Sequence, residues 1–329
     1  MDARHNTISV LMLPWLAHGH ISPFLELAEK LTTRNIHIYF CSTPINLGPI
    51  KQKLSEKHSL SIQLVELHLP SLPDLPPHYH TTNGLPPHLI PILKKALDMA
   101  SPNFSTILKK LKPDLVIYDF LQLWAPSLAL SLNIPAVNFI PMSATMSSFF
   151  LHLANNLGVQ YPSPEIYLRE YEVSKFANDS QDGDRLLECF KQSSEIILIK
   201  TFREIEAKYI DYLSVLSKKK IVPVGPLVQE PVHDYEENEI IEWLNKKEPS
   251  SVVFVSFGSV GVEVKRDMNG RLEREEVAKV IRRVVVEKIG EGIGVKATEL
   301  KEKIRNKGDE EIDGVVQELV QLCSKKNRQ

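Results

Sequence analysis

The sequence predicts an α/β fold built on parallel sheet, and three observations predict it. Short, near-continuous apolar runs recur along the chain, as expected of strands covered on both faces. Segments with apolar residues at helical spacing separate them, and the order β-α-β-α-β implies a parallel sheet with right-handed crossovers. A further run, Val252-Val253-Phe254-Val255-Ser256-Phe257-Gly258-Ser259, reads as the opening strand of a second nucleotide-binding domain. A length of 329 residues agrees with two domains.

Residues 7–14 form the first expected strand. Ser22 and Pro23 then mark a helix start, because proline is favoured at the first helical position, and Phe24, Leu27, Ala28 and Leu31 give that helix a core-facing stripe. Residues 36–42 read as the second strand and 61–67 as the third. Residues 70–91 carry Pro70, Pro73, Pro76, Pro77, Pro86, Pro87 and Pro91 and read as a long irregular loop, of a length often tied to function. A helix is expected from about His88 to Leu111, then strands at 114–119 and 134–139 with a helix between them. Residues 158–185 are polar and read as loop, Glu195 to Lys200 as a strand and Glu204–Leu216 as a helix. Val222-Pro223-Val224-Gly225-Pro226 ends a strand and stiffens the chain. The expected division is therefore a first domain over 1–225, a linker over 226–250 and a second unit over 251–329.

The last segment changes character. Residues 261–267 read as a short strand, with a turn at Asn269-Gly270. Val277, Val280, Ile281, Val284 and Val285 mark one amphipathic helix, and Leu300 and Ile304 a second. Gly308 is expected to stop that helix and Asp309 to cap a third, with the stripe Ile312, Val315, Val316, Leu319, Val320 and Cys323. Little of a second sheet remains to cover the stripes around Val284 and Val316, so 252–329 is expected to be marginally stable.

Composition narrows the classes. At 43% hydrophobic and 24% charged, the chain reads as a soluble globular protein. A net charge of -2 gives no reason to expect nucleic acid or an anionic membrane as partner. No run is long enough to span a bilayer. Pro14 and His18-Gly19-His20 argue against a signal peptide at the start. Cys41, Cys189 and Cys323 are far apart, without zinc spacing, and fit a reducing compartment, so the expected location is cytoplasmic. His78, His80 and His88 lack a carboxylate or cysteine partner, and no metal is expected there. The Arg271–Lys307 charge pattern is a solvated helix face.

The chemistry-bearing residues are His20 and Asp119, each just beyond an expected strand. Ligands of open α/β sheets sit in the crevice outside the carboxyl ends of the strands. A carboxylate on one imidazole nitrogen fixes the tautomer and makes the other nitrogen a better proton acceptor. The helix that follows favours the neutral imidazole that a general base requires. Two plainer readings stand beside this one: His20 as a locally bonded loop histidine, and Asp119 as a cap for the helix starting near Leu123. Gly19 lets the chain turn sharply and a ligand approach the backbone. Ser256-Phe257-Gly258-Ser259 offers backbone N–H groups and a hydroxyl to a diphosphate, provided a helix follows. No GxGxxG and no GxxxxGK[ST] occurs.

Four segments in order carry a family resemblance. These are Pro14-Trp15-Leu16-Ala17-His18-Gly19-His20-Ile21-Ser22-Pro23, Leu115-Val116-Ile117-Tyr118-Asp119, Val222-Pro223-Val224-Gly225-Pro226-Leu227 and Val253-Phe254-Val255-Ser256-Phe257-Gly258-Ser259. Together they closely resemble the plant UDP-sugar-dependent glycosyltransferases of small molecules. The segments Phe40-Cys41-Ser42-Thr43, His80-Thr81-Thr82-Asn83-Gly84-Leu85-Pro86-Pro87 and Val320-Gln321-Leu322-Cys323 resemble the branch that adds glucose to a sugar already on the acceptor, glucosyl crocetin β-1,6-glucosyltransferases among them.

The resemblance implies the GT-B arrangement of two facing Rossmann-like domains, the first binding the acceptor and the second the UDP-sugar. It implies inverting transfer from UDP-glucose to a hydroxyl of a flavonoid, terpenoid or apocarotenoid glycoside. His20 is then the base and Asp119 its holder, with Gly19 and Ser259 near the donor's phosphates and neither a metal nor another cofactor required. The family's donor signature, from Trp-Ala-Pro-Gln through His-Cys-Gly-Trp-Asn-Ser to Asp-Gln, has no counterpart after Ser259. The gap is roughly 120 residues, a typical domain's worth, so the first domain is expected complete and the second truncated internally. The alternative expectation is a catalytically inactive remnant that still binds acceptor, the product of splicing, gene damage or a misjoined gene model.

Overall fold

The computed structural model describes residues 7–54, 60–156, 158–169, 172–173, 180–227, 242–243, 246–247, 264, 266–267, 269–285, 287 and 289–326. They fall into two compact units, one of residues 1–168, 173–227 and 304–329, the other of 169–172 and 228–303.

The first unit is built on a seven-stranded sheet. Its strands are β1 (Ile8–Leu13), β2 (Ile36–Ser42), β3 (Ile62–Glu66), β4 (Leu115–Asp119), β5 (Ala136–Ile140), β6 (Ile196–Ile199) and β7 (Lys220–Pro223). Their order is β3-β2-β1-β4-β5-β6-β7, and every neighbouring pair is parallel. The register sets Leu13 opposite Tyr118, so β1 and β4 end side by side at the centre. At the other edge Asp114 accepts bonds from the Ser9 N–H (2.9 Å) and hydroxyl (2.8 Å), fixing how the two central strands start.

The helices of this unit are α1 (His18–Thr32), α2 (Pro44–Lys53), α3 (Ile90–Met99), α4 (Ser101–Leu111), α5 (Trp124–Ser131), α6 (Ala144–Asn155), α7 (Ser180–Gln192) and α8 (Arg203–Ser217). One sheet face, with Leu11, Leu13, Val116, Tyr118, Ile197 and Ile199, buries against side chains of α3, α4, α5, α7 and α8. The other, with Val10, Met12, Ile38, Ile117 and Leu198, packs on α1 and α2. Successive strand residues point to opposite faces, and both faces are covered at the centre, so β4 and β5 are buried along their whole length.

Local departures from the sequence expectation have local causes. The helix expected over His88–Leu111 is two helices that meet at Ala100, because Pro102 lacks an N–H and can join only the first turn of α4. The region expected as loop over 158–185 ends in α7, whose buried Cys189 and Phe190 pack in the core with Leu187 beside them, although its first half is polar. Helix α6 carries Ser143 as N-cap, its hydroxyl accepting from the Met146 N–H at 3.2 Å.

In the second unit the expected turn is present. The N–H of Gly270 bonds to the Asp267 carbonyl, and Asp267 Oδ1 accepts from the N–H of Asn269 and of Arg271. Helix α9 (Arg274–Val285) follows.

The largest difference concerns the end of the chain. Instead of two helices broken at Gly308, residues Ile289–Lys326 form one helix, α10. A helical glycine costs only about 1 kcal/mol relative to alanine and stops a helix chiefly by turning left-handed, which Gly308 does not do. The division expected at 251–329 also differs from the observed one, because Ile304–Gln329 belongs to the first unit. Ile312, Val315, Leu319, Leu322 and Cys323 are buried against the α1–α2 face of the sheet, with Val316 beside them. Of the two stripes expected to lack cover, the one around Val316 is therefore covered. Arg34–Asp313 (2.6 Å), Lys220–Glu318 (2.5 Å) and Lys325–Glu195 (2.5 Å) rim this contact.

Candidate active site

In the order 3-2-1-4-5-6-7 the direction of winding reverses between β1 and β4, which makes the crevice beyond their carboxyl ends the expected ligand site. Both lead residues stand there. Asp119 is the last residue of β4. His20 lies in the first turn of α1, which begins at His18 rather than at Ser22. The Ala17 carbonyl accepts the N–H of His20 and of Ile21, both at 2.9 Å, and this starts the helix a turn earlier than proline placement suggests. Pro23 is then inside the helix, where it has no N–H to give the Gly19 carbonyl.

The two side chains meet. His20 Nδ1 lies 2.7 Å from Asp119 Oδ2. Asp119 is fully buried, and its Oδ1 accepts the N–H of Leu121 at 3.3 Å. The carboxylate thus serves the histidine and the following turn together, rather than capping α5, which begins at Trp124. A carboxylate is acceptor-only, so Nδ1 carries the proton, and in the neutral imidazole Nε2 presents its lone pair. The His20 side chain is 21% exposed, open to proton exchange, and the Phe120 ring packs 5.7 Å from it. Such a unit can take a proton from a hydroxyl while the carboxylate stabilises the resulting imidazolium.

Gly19 is in ordinary helical backbone, so the sharp turn expected of it is not there. A Cβ at Gly19 would meet nothing within 4 Å. Ser259 lies outside the described residues, as does the strand expected at 251–257.

The Pro-rich segment is anchored to the same edge. Its two short 3-10 turns, Pro77–Tyr79 and Pro87–Leu89, flank a stretch in which the Thr82 N–H donates to the Leu16 carbonyl (2.9 Å) and the Thr43 hydroxyl to the His80 carbonyl (2.7 Å). His80 is buried, which lowers its pKa, and its Nε2 has no partner. Gln122, three residues beyond Asp119, is fully buried with neither end of its amide bonded. Burial pushes the Cys41 thiol up to about 12 and the Cys189 thiol further still, so neither serves as a nucleophile. Among the described residues no helix is long and apolar enough to cross a membrane. Sequence reasoning passed over Phe120, Gln122 and the residues behind them, because nothing in their spacing marks them; only adjacence to Asp119 does.

Comparison with known proteins follows the same lines. The family of glycosyltransferase N-terminal domains matches residues 6–229. UDP-glucosyltransferase 29 of Panax ginseng is 41% identical over 445 aligned positions, covering 99% of this chain and 99% of the relative. Those 445 positions exceed the 329 residues of the chain by 116. The β-D-glucosyl crocetin β-1,6-glucosyltransferase of Gardenia jasminoides is 51% identical over 268 residues, 78% of this chain and 60% of that protein. Among solved structures, Glycyrrhiza uralensis UGT73P12 complexed with glycyrrhetinic acid 3-O-monoglucuronide superposes with a TM-score of 0.65 at 19% identity, over 77% of this chain and 57% of that one. The chain thus spans somewhat over half the length of the structure that it resembles.

Proposed function

Because the chain belongs to the plant UDP-dependent glycosyltransferases, we propose that His20 and Asp119 are built for inverting transfer of glucose from UDP-glucose to a hydroxyl of a small-molecule glycoside. The single observation that carries this reading is the 2.7 Å contact between His20 Nδ1 and Asp119 Oδ2 at the mouth of the central crevice. His20 Nε2 takes the proton of the acceptor hydroxyl as its oxygen attacks the anomeric carbon. The bond to UDP breaks on the opposite face, and UDP leaves with the electron pair. Asp119 holds the imidazole in the receptive tautomer and stabilises its protonated form. The Gardenia relative, named for acting on glucosyl crocetin, supports a glycoside as acceptor, in the flavonoid, terpenoid or apocarotenoid range.

A second reading concerns competence. The alignment with the Panax relative leaves 116 positions more than this chain has residues, and the expected donor signature has no counterpart in the sequence. We propose that the chain is impaired in transfer because donor binding is what orients the anomeric carbon for attack. The acceptor half, with its seven-stranded sheet, still binds glycosides.

Incubation with radiolabelled UDP-glucose and a pool of glucosylated flavonoids or crocetin tests both readings, alongside calorimetric titration with the same acceptors. Acceptor binding with transfer far below ordinary rates is expected, and His20→Ala lowers any residual transfer by about 10²- to 10⁴-fold. Transfer at ordinary rates overturns the impairment. Residual transfer unaffected by His20→Ala overturns the assignment of the base.

A further inference from the structure

The turn that follows Asp119 is gripped from behind by α7. It closes with the Gln122 N–H on the Asp119 carbonyl at 3.1 Å. Arg185 and Cys189 stand four residues apart on α7 and therefore on one face. The Cys189 thiol donates to the Phe120 carbonyl at 2.9 Å, and Arg185 Nη1 donates to the Leu121 carbonyl at 2.9 Å. Arg185 Nη2 meets Asp98 Oδ2 at 2.9 Å, and Asp98 Oδ1 accepts the Trp124 indole N–H at 3.2 Å.

One peptide unit joins this support to the site. The carbonyl of Phe120 and the N–H of Leu121 belong to the same planar group and point in opposite directions. Cys189 holds the carbonyl end, and Asp119 Oδ1 holds the N–H end. The other carboxylate oxygen, Oδ2, bonds His20. Tilting that peptide moves the N–H off Oδ1 and frees the carboxylate to rotate about its own axis, which misdirects the bond to Nδ1. Burial, and after it the Asp119 carboxylate, hold the Cys189 thiol far above its ordinary pKa, so it stays a donor.

Taking His20 and Asp119 as the catalytic pair, we propose that Arg185 and Cys189, with Asp98 behind them, are positioning residues that set the orientation of the Asp119 carboxylate and so the tautomer of His20. Neither touches the reacting atoms. The effect travels through a rigid peptide, not through charge on the imidazole.

The test is the tautomer itself, read on the full chain with ¹⁵N-labelled histidine from the His20 Nδ1 and Nε2 chemical shifts at neutral pH. In the unsubstituted chain the form protonated at Nδ1 dominates. Cys189→Ala and Arg185→Gln each lower the ratio of that form to its alternative about tenfold, the equivalent of about 1.4 kcal/mol. Cys189→Ser keeps a donor toward Phe120 and restores the ratio. Asp98→Asn loosens Arg185 from a side chain that is 37% exposed, without opening the core, and lowers the ratio in the same direction. That variant decides the matter if Cys189→Ala fails to fold. Folded variants with lowered melting temperatures and an unchanged ratio overturn the proposal, since a merely structural role moves only the melting temperature. The readout is independent of turnover, so a His20→Ala variant that keeps its transfer activity defeats the catalytic reading and leaves this result to stand or fall separately.

Discussion

Glu206 offers the sharpest quantitative test of how the first unit is held together. It is 8% exposed, and both of its oxygens are fully engaged. Oε2 accepts the Ala144 N–H at 2.8 Å and the Thr201 hydroxyl at 2.5 Å. Oε1 accepts the Thr145 N–H at 3.0 Å and also the Thr145 hydroxyl. Ala144 and Thr145 are the first residues of α6, so a side chain sixty positions away closes that helix where the positive end of its dipole lies. Glu206→Ala strands two peptide N–H groups. An unsatisfied buried donor costs roughly 1–3 kcal/mol, and the lost charge at the helix end adds about 0.5–1 kcal/mol. The two hydroxyls can rotate toward other acceptors and are left out of the sum. The expected loss is therefore about 2.5–7 kcal/mol, or roughly 5–25 °C in melting temperature for a unit of this size. Glu206→Gln retains one acceptor oxygen but turns an NH₂ toward two donors, and about half the loss is expected. Urea unfolding followed by far-UV circular dichroism measures both variants. A loss below about 1 kcal/mol for Glu206→Ala, the range of an exposed ion pair, refutes the reasoning.

Three further outcomes follow from the same contacts. Gln122→Leu replaces a buried amide that has no partner by an apolar side chain, and should leave stability unchanged or raise it by about 1 kcal/mol in urea unfolding; a loss above 2 kcal/mol would show that the amide is satisfied. Burial lowers the His80 pKa below its ordinary 6.5, so the folded state resists its protonation; this contribution is complete above pH 6.5 and is lost as the pH falls through the lowered value, and urea midpoints of His80→Asn should decline less steeply over that window. Leu319→Ala removes a fully buried side chain from α10 and should cost about 2–5 kcal/mol of the stability of the first unit, whereas a helix end that merely lay on the surface would lose almost nothing.

The sheet was legible because its central strands are buried on both faces and so appear as near-continuous apolar runs. Residues 36–42 illustrate this, with the expected and observed strand coinciding. The His20–Asp119 pair was legible because parallel register brings strand ends together, which turns two distant positions into neighbours by topology alone. Helix α7 was not, because its first half is polar and its apolar residues, Leu187, Cys189 and Phe190 in the core among them, are bunched near its end, so its helical form depends on the elements that they meet. Nor were the supports of the site. Asp98 and Arg185 are 87 positions apart, and Glu206 and Ala144 are 62 apart; neither pair has a local signature. Gly308 misled for a different reason, since a glycine signals a helix end only when the chain turns left-handed at it.

The burial of Ile312, Val315 and Leu319 on the first sheet makes completion of that unit depend on a segment synthesised after its described strands. A ribosome that has released only residues 1–227 has delivered the seven described strands, yet the sheet face that carries Val10, Met12 and Leu115 still lacks the side chains α10 adds to its core. The order of translation therefore leaves an oily seam open until the final turns of α10 emerge, and whatever intervenes between residues 227 and 304 sets how long the nascent protein must keep that seam from other chains.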